Sequence, residues 1–302
     1  MGYLFLLISV LAGNTKGYCG KRISGYTRSL DAALRISTVR MLLCVPIALL
    51  LVSIFGDAVH LTLNPTLVFS SLLSGASTAI FVVTWLFSAR RAAYMLVDVF
   101  LMLGVGVPLL LSSFFLDERV GVLDWIGFFI LIAAVLVMCS YQGSIKGALD
   151  LPSILLLSLC GLANGVTDFS QKLFVRKAEG VPASVFNLYS YIAATVVLGM
   201  FLLVVLWRMP KKEQGSVEKG DAPARSLYMY VSVMALCLFL NTYFKTLAAG
   251  RLSAVALYPM SQGLSLIFSS LMAAFLFKER MTARAAIGLV LAFVAVVCIN
   301  LL

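Results

Sequence analysis

The chain has 302 residues, of which 62% are hydrophobic and 12% are charged, and its formal net charge is +10 at pH 7. A soluble domain is nearer half apolar and a quarter charged, so most of this chain cannot face water. The basic residues lie at the ends of apolar blocks, where they suit lipid headgroups, and this arrangement argues against nucleic-acid binding.

The apolar blocks are about 18–23 residues long and continuous, which predicts helices that cross a bilayer rather than strands. The first block, from Met1 to about Ala12, has no basic segment before it and leads into further spans. It therefore predicts a membrane helix, continuing to Lys21, rather than a signal peptide. The other nine predicted spans cover about residues 33–55, 65–87, 93–115, 122–141, 151–174, 184–207, 226–248, 252–277 and 283–302.

The second half of the chain repeats the first. Residues from Arg90 to Val137 align without a gap with residues 251–298 at a shift of 161 positions, and Glu118 falls on Glu279. At the front of each half, Lys21 corresponds to Lys172 at a shift of 151. A duplicated half of this length is typical of transporters, and an odd number of spans in each half inverts one half relative to the other.

The sequence thus predicts an all-α integral membrane protein with ten transmembrane helices, arranged as two inverted five-helix repeats over residues 1–145 and 146–302. A hydrophilic linker, about residues 208–225, separates spans seven and eight. More basic residues follow spans one, three, five, seven and nine than lie on the other side. The positive-inside rule then places the N-terminus outside the cell membrane.

Charged and strongly polar side chains inside apolar spans are costly, which makes them candidates for a substrate path. One face of span one carries Asn14, Tyr18 and Lys21. One face of span six carries Asn164, Asp168 and Lys172. Asp168 and Lys172 can line a polar cavity between the halves, or neutralise each other as an i,i+4 pair, and the two interpretations are compatible.

The remaining candidates lie on spans four, eight and nine. Asp98 is a lone acid that suits proton coupling or a cationic substrate, or an ion pair with Arg91 or Arg40; Asp168 is the second candidate for proton coupling. Spans eight and nine add Asn241, Lys245, Tyr258 and Gln262, each of which can also serve as a contact between helices.

The chain shows no sign of catalysis, metal or cofactor binding. Its six cysteines form no CxxC pair and no cluster with the single histidine, His60. The phosphate-loop pattern GxxxxGK[ST] and the patterns HExxH and GxSxG are missing. We therefore expect no catalytic residue, no metal site, no cofactor and no enzyme activity.

A short charged turn joins the last two helices of each half. The segments that carry it are Phe115-Leu116-Asp117-Glu118-Arg119 with Gly127, and Leu276-Phe277-Lys278-Glu279-Arg280 with Gly288. Together with Tyr258-Pro259, these segments resemble the drug/metabolite transporter superfamily, specifically EamA-type carriers. For Glu118 and Glu279 themselves we expect a structural role, either capping the next helix or pairing with the arginine that follows.

Spans one and six also resemble the first helix of the small multidrug resistance proteins, which has Leu-Ala, an essential glutamate and a lysine eight residues later. The frames here are Leu11-Ala12-Gly13 with Lys21, and Leu162-Ala163-Asn164 with Lys172. Gly13 and Asn164 occupy the glutamate position, which argues against a direct copy of proton/drug antiport.

The resemblance implies a secondary transporter that moves a small polar or amphipathic metabolite by alternating access. Its cavity would be lined mainly by spans one, three, four, six, eight and nine. The alternatives are an exporter of cationic compounds or multiple drugs, a channel, and a membrane scaffold or receptor that transports nothing. The expected partners are a small-molecule substrate and the lipid bilayer, with a homodimer left open and no nucleic acid.

Overall fold

The computed structural model describes residues 1–26, 29–91, 94–118, 121–139, 151–208, 224–276 and 283–300. Within these ranges every regular element is a helix, which confirms the predicted all-α class. The α-helices are α1 (Gly2–Ile23), α2 (Leu30–Phe55), α3 (Pro65–Arg91), α4 (Tyr94–Leu103), α5 (Gly106–Leu116), α6 (Val122–Cys139), α7 (Leu151–Lys177), α8 (Ala183–Arg208), α9 (Ala224–Ala249), α10 (Ala254–Phe275) and α11 (Ala283–Asn300).

Six helical segments of the described chain are long and apolar enough to cross a membrane by length and composition. They are Leu30–Phe55, Pro65–Ala89, Leu151–Lys177, Ala183–Arg208, Ser226–Ala249 and Ala254–Phe275. Shorter apolar stretches lie at Phe100–Leu116, Trp125–Ala134 and Ala286–Ala295. The chain is therefore an integral membrane protein, while the full number of ten spans and the inversion of the halves remain predictions.

Local sequence explains where several helices begin and end. The Ser29 hydroxyl accepts a hydrogen bond from the Ala32 amide at the start of α2, and Ser253 does the same for Ala256 in α10. Gly56 ends α2 in the left-handed region, with φ of 71°. These caps satisfy amide and carbonyl groups that the helices leave unpaired at their ends, as an apolar surrounding requires.

The predicted single span over residues 93–115 is wrong in one respect, since the structure divides it into α4 and α5 at Gly104 and Val105. Pro108 has no amide hydrogen and cannot donate to the Gly104 carbonyl four residues earlier. The Val107 amide donates to that carbonyl instead, at 3.1 Å, which tightens the turn. A proline close after a glycine is a common cause of such a break.

The two halves of the chain pack against each other through matched pairs of helices. α1 packs on α9 and α3 on α7, while α2 packs on α8 and α6 on α11. When each helix is replaced by its counterpart in the other half, the pair α1–α9 becomes the pair α7–α3. The pairs α2–α8 and α6–α11 stay the same. The helices that carry polar residues, α1 and α7, thus lie at the boundary between the halves.

Three glycines bring α4 and α5 into backbone contact with α7. A Cβ atom on Gly104 would lie 2.1 Å from the Gly161 carbonyl oxygen, and one on Gly165 would lie 2.2 Å from the Gly104 oxygen. A Cβ on Gly161 would lie 2.3 Å from the Phe100 oxygen. Backbones that approach this closely leave no room for a side chain, which is how small residues act in membrane helix packing.

We predict that Gly161→Ala destabilises the protein by about 1–3 kcal/mol, because α7 and α4 must separate to admit the methyl group. The matched control is Gly199→Ala in α8, where a Cβ atom meets nothing within 4 Å. Thermal unfolding of the purified protein in detergent should show a lower melting temperature for Gly161→Ala only. Equal melting temperatures for the two variants would contradict the close approach.

Candidate functional site

A polar cavity of about 60 Å³ lies near the middle of the helices, between the two halves. Its walls come from α1, α3, α4, α7, α9 and α10, which correspond to the six spans expected to line a substrate cavity. The cavity is lined by Val10, Gly13, Asn14, Lys16, Gly17, Phe81, Trp85, Asp98, Leu101, Asn164, Asn241, Lys245, Ser261, Gln262 and Ser265. A space of this size holds a few water molecules.

Six of the residues singled out from the sequence meet at this cavity: Asn14, Asp98, Asn164, Asn241, Lys245 and Gln262. Some of them also join helices. The Asn14 amide nitrogen lies 3.4 Å from the Ser265 hydroxyl. The Asn241 amide donates to the Ser9 carbonyl at 2.8 Å, which ties α9 to α1. Cavity lining and contact between helices are therefore combined in the same side chains.

A buried ion pair lies beside the cavity, and its Lys245 side chain forms part of the cavity wall. Lys245 Nζ lies 2.7 Å from Asp168 Oδ1, and both side chains are less than a tenth exposed. The Asn164 amide lies 3.5 Å from the second Asp168 oxygen. The Tyr258 hydroxyl donates to the Asp168 backbone carbonyl at 2.6 Å, and its ring lies 5.6 Å from Lys245 Nζ. Asp168, Lys245 and Tyr258 thus join α7, α9 and α10.

The predicted i,i+4 pair between Asp168 and Lys172 is wrong, because each residue has a different partner. Lys172 Nζ lies 3.0 Å from Glu118 Oε1. The same ammonium donates to the Ala249 carbonyl at 3.2 Å and to the Leu252 carbonyl at 2.6 Å. Three acceptors from three segments draw the Lys172 side chain away from Asp168 and out of the cavity.

Glu118 collects contacts from the second half of the chain. Besides Lys172, its Oε1 lies 3.0 Å from Arg176 Nη2, and its Oε2 accepts the Ala254 amide at 2.8 Å. Glu118 therefore does cap a helix, and among the described contacts that helix is α10. We call these four residues, Glu118, Lys172, Arg176 and Ala254, the Glu118 latch.

The expected partner Arg119 and the whole of the second turn, residues 277–282, lie outside the described residues.

Burial and hydrogen bonding act in opposite directions on the Glu118 carboxyl. Burial raises its pKa, but the Ala254 amide and the Lys172 ammonium lower it more, so that its pKa falls below the usual value of 4.5. The carboxylate is thus ionised at neutral pH, as an ion pair with Lys172 requires.

Lys21 and Lys172 have corresponding places in the two halves and make corresponding contacts. Lys21 Nζ donates to the Ala89 carbonyl at 2.7 Å, near the end of α3, just as Lys172 donates to Ala249 at the end of α9. The Tyr18 hydroxyl accepts a hydrogen bond from Arg22 at 3.1 Å. These contacts lie toward helix ends and favour a structural role for the two lysines.

Lys16 and Arg40 lie at or near the cavity but are not among the predicted substrate-binding residues. Lys16 follows Asn14 by two positions and so falls off the face defined by three- and four-residue spacing, yet it lines the cavity. Arg40, which the sequence offered as a partner for Asp98, is only 2% exposed. Arg40 Nε, Arg40 Nη2 and Asp98 Oδ2 have no hydrogen-bond partner in the described chain, so the suggested Asp98–Arg40 pair is not formed.

Comparison with known proteins gives one family and one fold. The sequence model of the EamA-like transporter family matches residues 151–301, which is half of the chain. No curated protein matches the sequence. Among solved structures, 28 chains match. One of them, titled "Crystal structure of protein", is 14% identical with a TM-score of 0.73, and the match covers 99% of this chain and 96% of that one. At this identity the likeness shows the fold alone.

Proposed function

Because the chain belongs to the EamA-like transporter family, we propose that it is a secondary transporter that moves a small polar or amphipathic metabolite by alternating access. Residues 1–145 and 146–302 would then be the two inverted repeats, and the cell membrane the site of action. The observation that carries this proposal is the polar cavity between the halves, to which both halves contribute charged side chains.

The size of the cavity supports a mechanism in which the halves move. About 60 Å³ admits a few waters but not a whole metabolite, so a substrate needs the halves to separate on one side before it can enter. The matched helix pairings between the halves suit a rocking motion about the cavity. The Glu118 latch holds one end of the two halves together, as a closed gate would.

The first experiment is a thermal-shift screen of metabolites on the purified protein, followed by counterflow of each hit in proteoliposomes. The expected result is saturable counterflow that Asp168→Asn and Lys172→Ala both reduce, the first by disrupting the cavity wall and the second by disrupting the latch. Ion conductance without saturation or counterflow would indicate a channel. A protein that moves no solute across a broad panel would be a scaffold or receptor.

We further propose that Asp98 couples transport to protons. The carboxyl lines the cavity, the Ser269 hydroxyl lies beside it, and its Oδ2 has no hydrogen-bond partner among the described residues. A buried carboxyl in this state can exchange a proton when the cavity is hydrated. Asp98→Asn should abolish the dependence of counterflow on a pH jump across the membrane. A variant with unchanged proton dependence would remove Asp98 from the mechanism.

A further inference from the structure

Five ionisable side chains surround the cavity or lie just behind it: Lys16, Arg40, Asp98, Asp168 and Lys245. Asp168 and Lys245 neutralise each other at 2.7 Å. The other three form no ion pair within the described chain, although Asp98 lies near enough to Lys16 for their charges to interact. The unpaired groups therefore comprise two cations and one acid.

Lys16 lies on the cavity wall with its ammonium group poised over an aromatic ring. Its Nζ lies 5.3 Å from the centre of the Phe81 ring, and the charged groups around it are Arg40, Lys245, Asp98 and Asp168. Among the described residues, neither a hydrogen bond nor an ion pair satisfies the three protons of this ammonium. A cation–π contact alone supplies little of the stabilisation that a counter-ion would give to this ammonium.

Arg40 adds a second positive charge behind Lys16. Among the described residues it is the largest fully buried side chain, and the groups that interact with its guanidinium are the neutral side chains of Cys44 and Tyr191. Cys44 directs its thiol to the Ala235 carbonyl, and the Tyr191 hydroxyl bonds to Thr242. Neither residue supplies a counter-charge, and burial of a guanidinium without one costs several kcal/mol.

These three groups carry an excess of one positive charge, which a bound anion would neutralise. Functional sites often keep charges that are unfavourable in the empty protein and become favourable when the ligand binds. The same wall carries the Asn164 amide, a hydrogen-bond donor whose contact with Asp168 is 3.5 Å long, and the rings of Phe81 and Trp85 as an apolar surface. A neutral or cationic substrate would not neutralise this excess positive charge.

We propose that the substrate is a small organic anion whose carboxylate or phosphate group binds beside Lys16, with Arg40 stabilising the charge from behind. This inference rests on the proposed transport function and names the substrate class for it. Asp98, on α4, takes up the coupling proton, so that its own charge does not repel the anion.

The test is a binding and counterflow panel on the full-length protein, sorted by charge. It contains benzoate, benzamide and benzylamine as one matched set, and glycerol 3-phosphate and glycerol as another, alongside metabolites grouped as anions, zwitterions, cations and neutral compounds. We expect thermal stabilisation and counterflow to be confined to anions. The two matched sets distinguish a carboxylate from a phosphate group.

Variants of Lys16 separate recognition from folding. Lys16→Gln should weaken anion binding by about tenfold or more, Lys16→Arg should retain most of it, and Lys177→Gln, on an exposed residue, should leave it unchanged. The melting temperature of ligand-free Lys16→Gln should equal or exceed that of the wild type, because an unpaired charge has been removed.

Two results would overturn the inference. Counterflow of neutral or cationic compounds that Lys16→Gln leaves unchanged would show a transporter with a different substrate class. A loss of stability in ligand-free Lys16→Gln with unaltered anion binding would show that Lys16 is structural. Absence of counterflow for every class would instead contradict the proposed transport function, and the substrate class with it.

Discussion

Replacing Asp168 with asparagine is expected to lower the free energy of unfolding by about 3–5 kcal/mol. The substitution keeps the shape of the side chain but removes the charge that lies 2.7 Å from Lys245 Nζ. Lys245 is then left as a buried cation without a counter-charge, and this uncompensated charge is the larger part of the loss. Thermal unfolding in detergent should report a melting temperature several degrees below that of the wild type.

Two controls show whether the pair is responsible for this loss. Asp117→Asn makes the same chemical change at an exposed residue with φ of 52°, a left-handed conformation that asparagine tolerates, and should be nearly neutral. The double variant Asp168→Leu with Lys245→Met replaces the pair with apolar groups and should recover much of the stability. A double variant as unstable as Asp168→Asn would mean that the Asp168 side chain acts through Asn164 instead.

The second large effect is expected from Glu118→Gln, which should lower the free energy of unfolding by about 2–3 kcal/mol. The glutamine can still accept the Ala254 amide, but it loses the ion pair with Lys172, whose side chain is 2% exposed. The loss is smaller than for Asp168 because Lys172 keeps the Ala249 and Leu252 carbonyls as acceptors.

Hydrogen–deuterium exchange should place the Glu118→Gln effect at the latch. The last turn of α7 and the first turn of α10 should exchange faster than in the wild type, while the middle of α7 should not change. Arg176→Gln is the matched control, since its side chain is 54% exposed and its ion pair contributes less than about 1 kcal/mol. Equal changes in both variants would argue against a latch centred on Lys172.

The effect of Glu118→Gln on stability should depend on pH. The pKa of Glu118 is lower in the folded protein than its usual value of 4.5, so the folded state prefers the ionised carboxyl. Its contribution to stability is therefore fully present above pH 4.5, and falls as the pH decreases through the folded-state pKa. The difference in melting temperature between wild type and Glu118→Gln should be constant near neutrality and shrink below pH 4.5. A difference that grows in acid would contradict the sign of the shift.

Hydrophobic patterning predicts most of the helices, because a continuous apolar run of span length has few alternatives in a bilayer. The bounds of α7 to α10 differ from the predicted spans by only a few residues. The break between α4 and α5 was missed because a glycine and a proline within an apolar run do not alter its hydropathy. Backbone hydrogen bonding, which hydropathy does not measure, decides where that helix is interrupted.

The cavity could be predicted in part, because polar residues inside spans have to meet one another. The pairing of charges could not, because it depends on contacts between helices distant in sequence. Asp168 lies four residues from Lys172 but pairs with Lys245, and Glu118 pairs with a lysine of the other half. Lys16 was left out of the predicted site because it lies off the polar face of its own helix. A cavity is enclosed by several helices, so residues off that face can also line it.

The correspondence between Lys21 and Lys172 has an energetic consequence. The alignment of the halves pairs Glu118 with Glu279 and Lys172 with Lys21, so the sequence carries the two residues of this charged contact twice. Two conformers of the proposed transporter, each closed by one of these equivalent contacts, would have nearly equal free energies. Near-degeneracy of this kind lets a modest difference in ligand affinity decide which side opens, since a balanced equilibrium shifts most for a given binding energy.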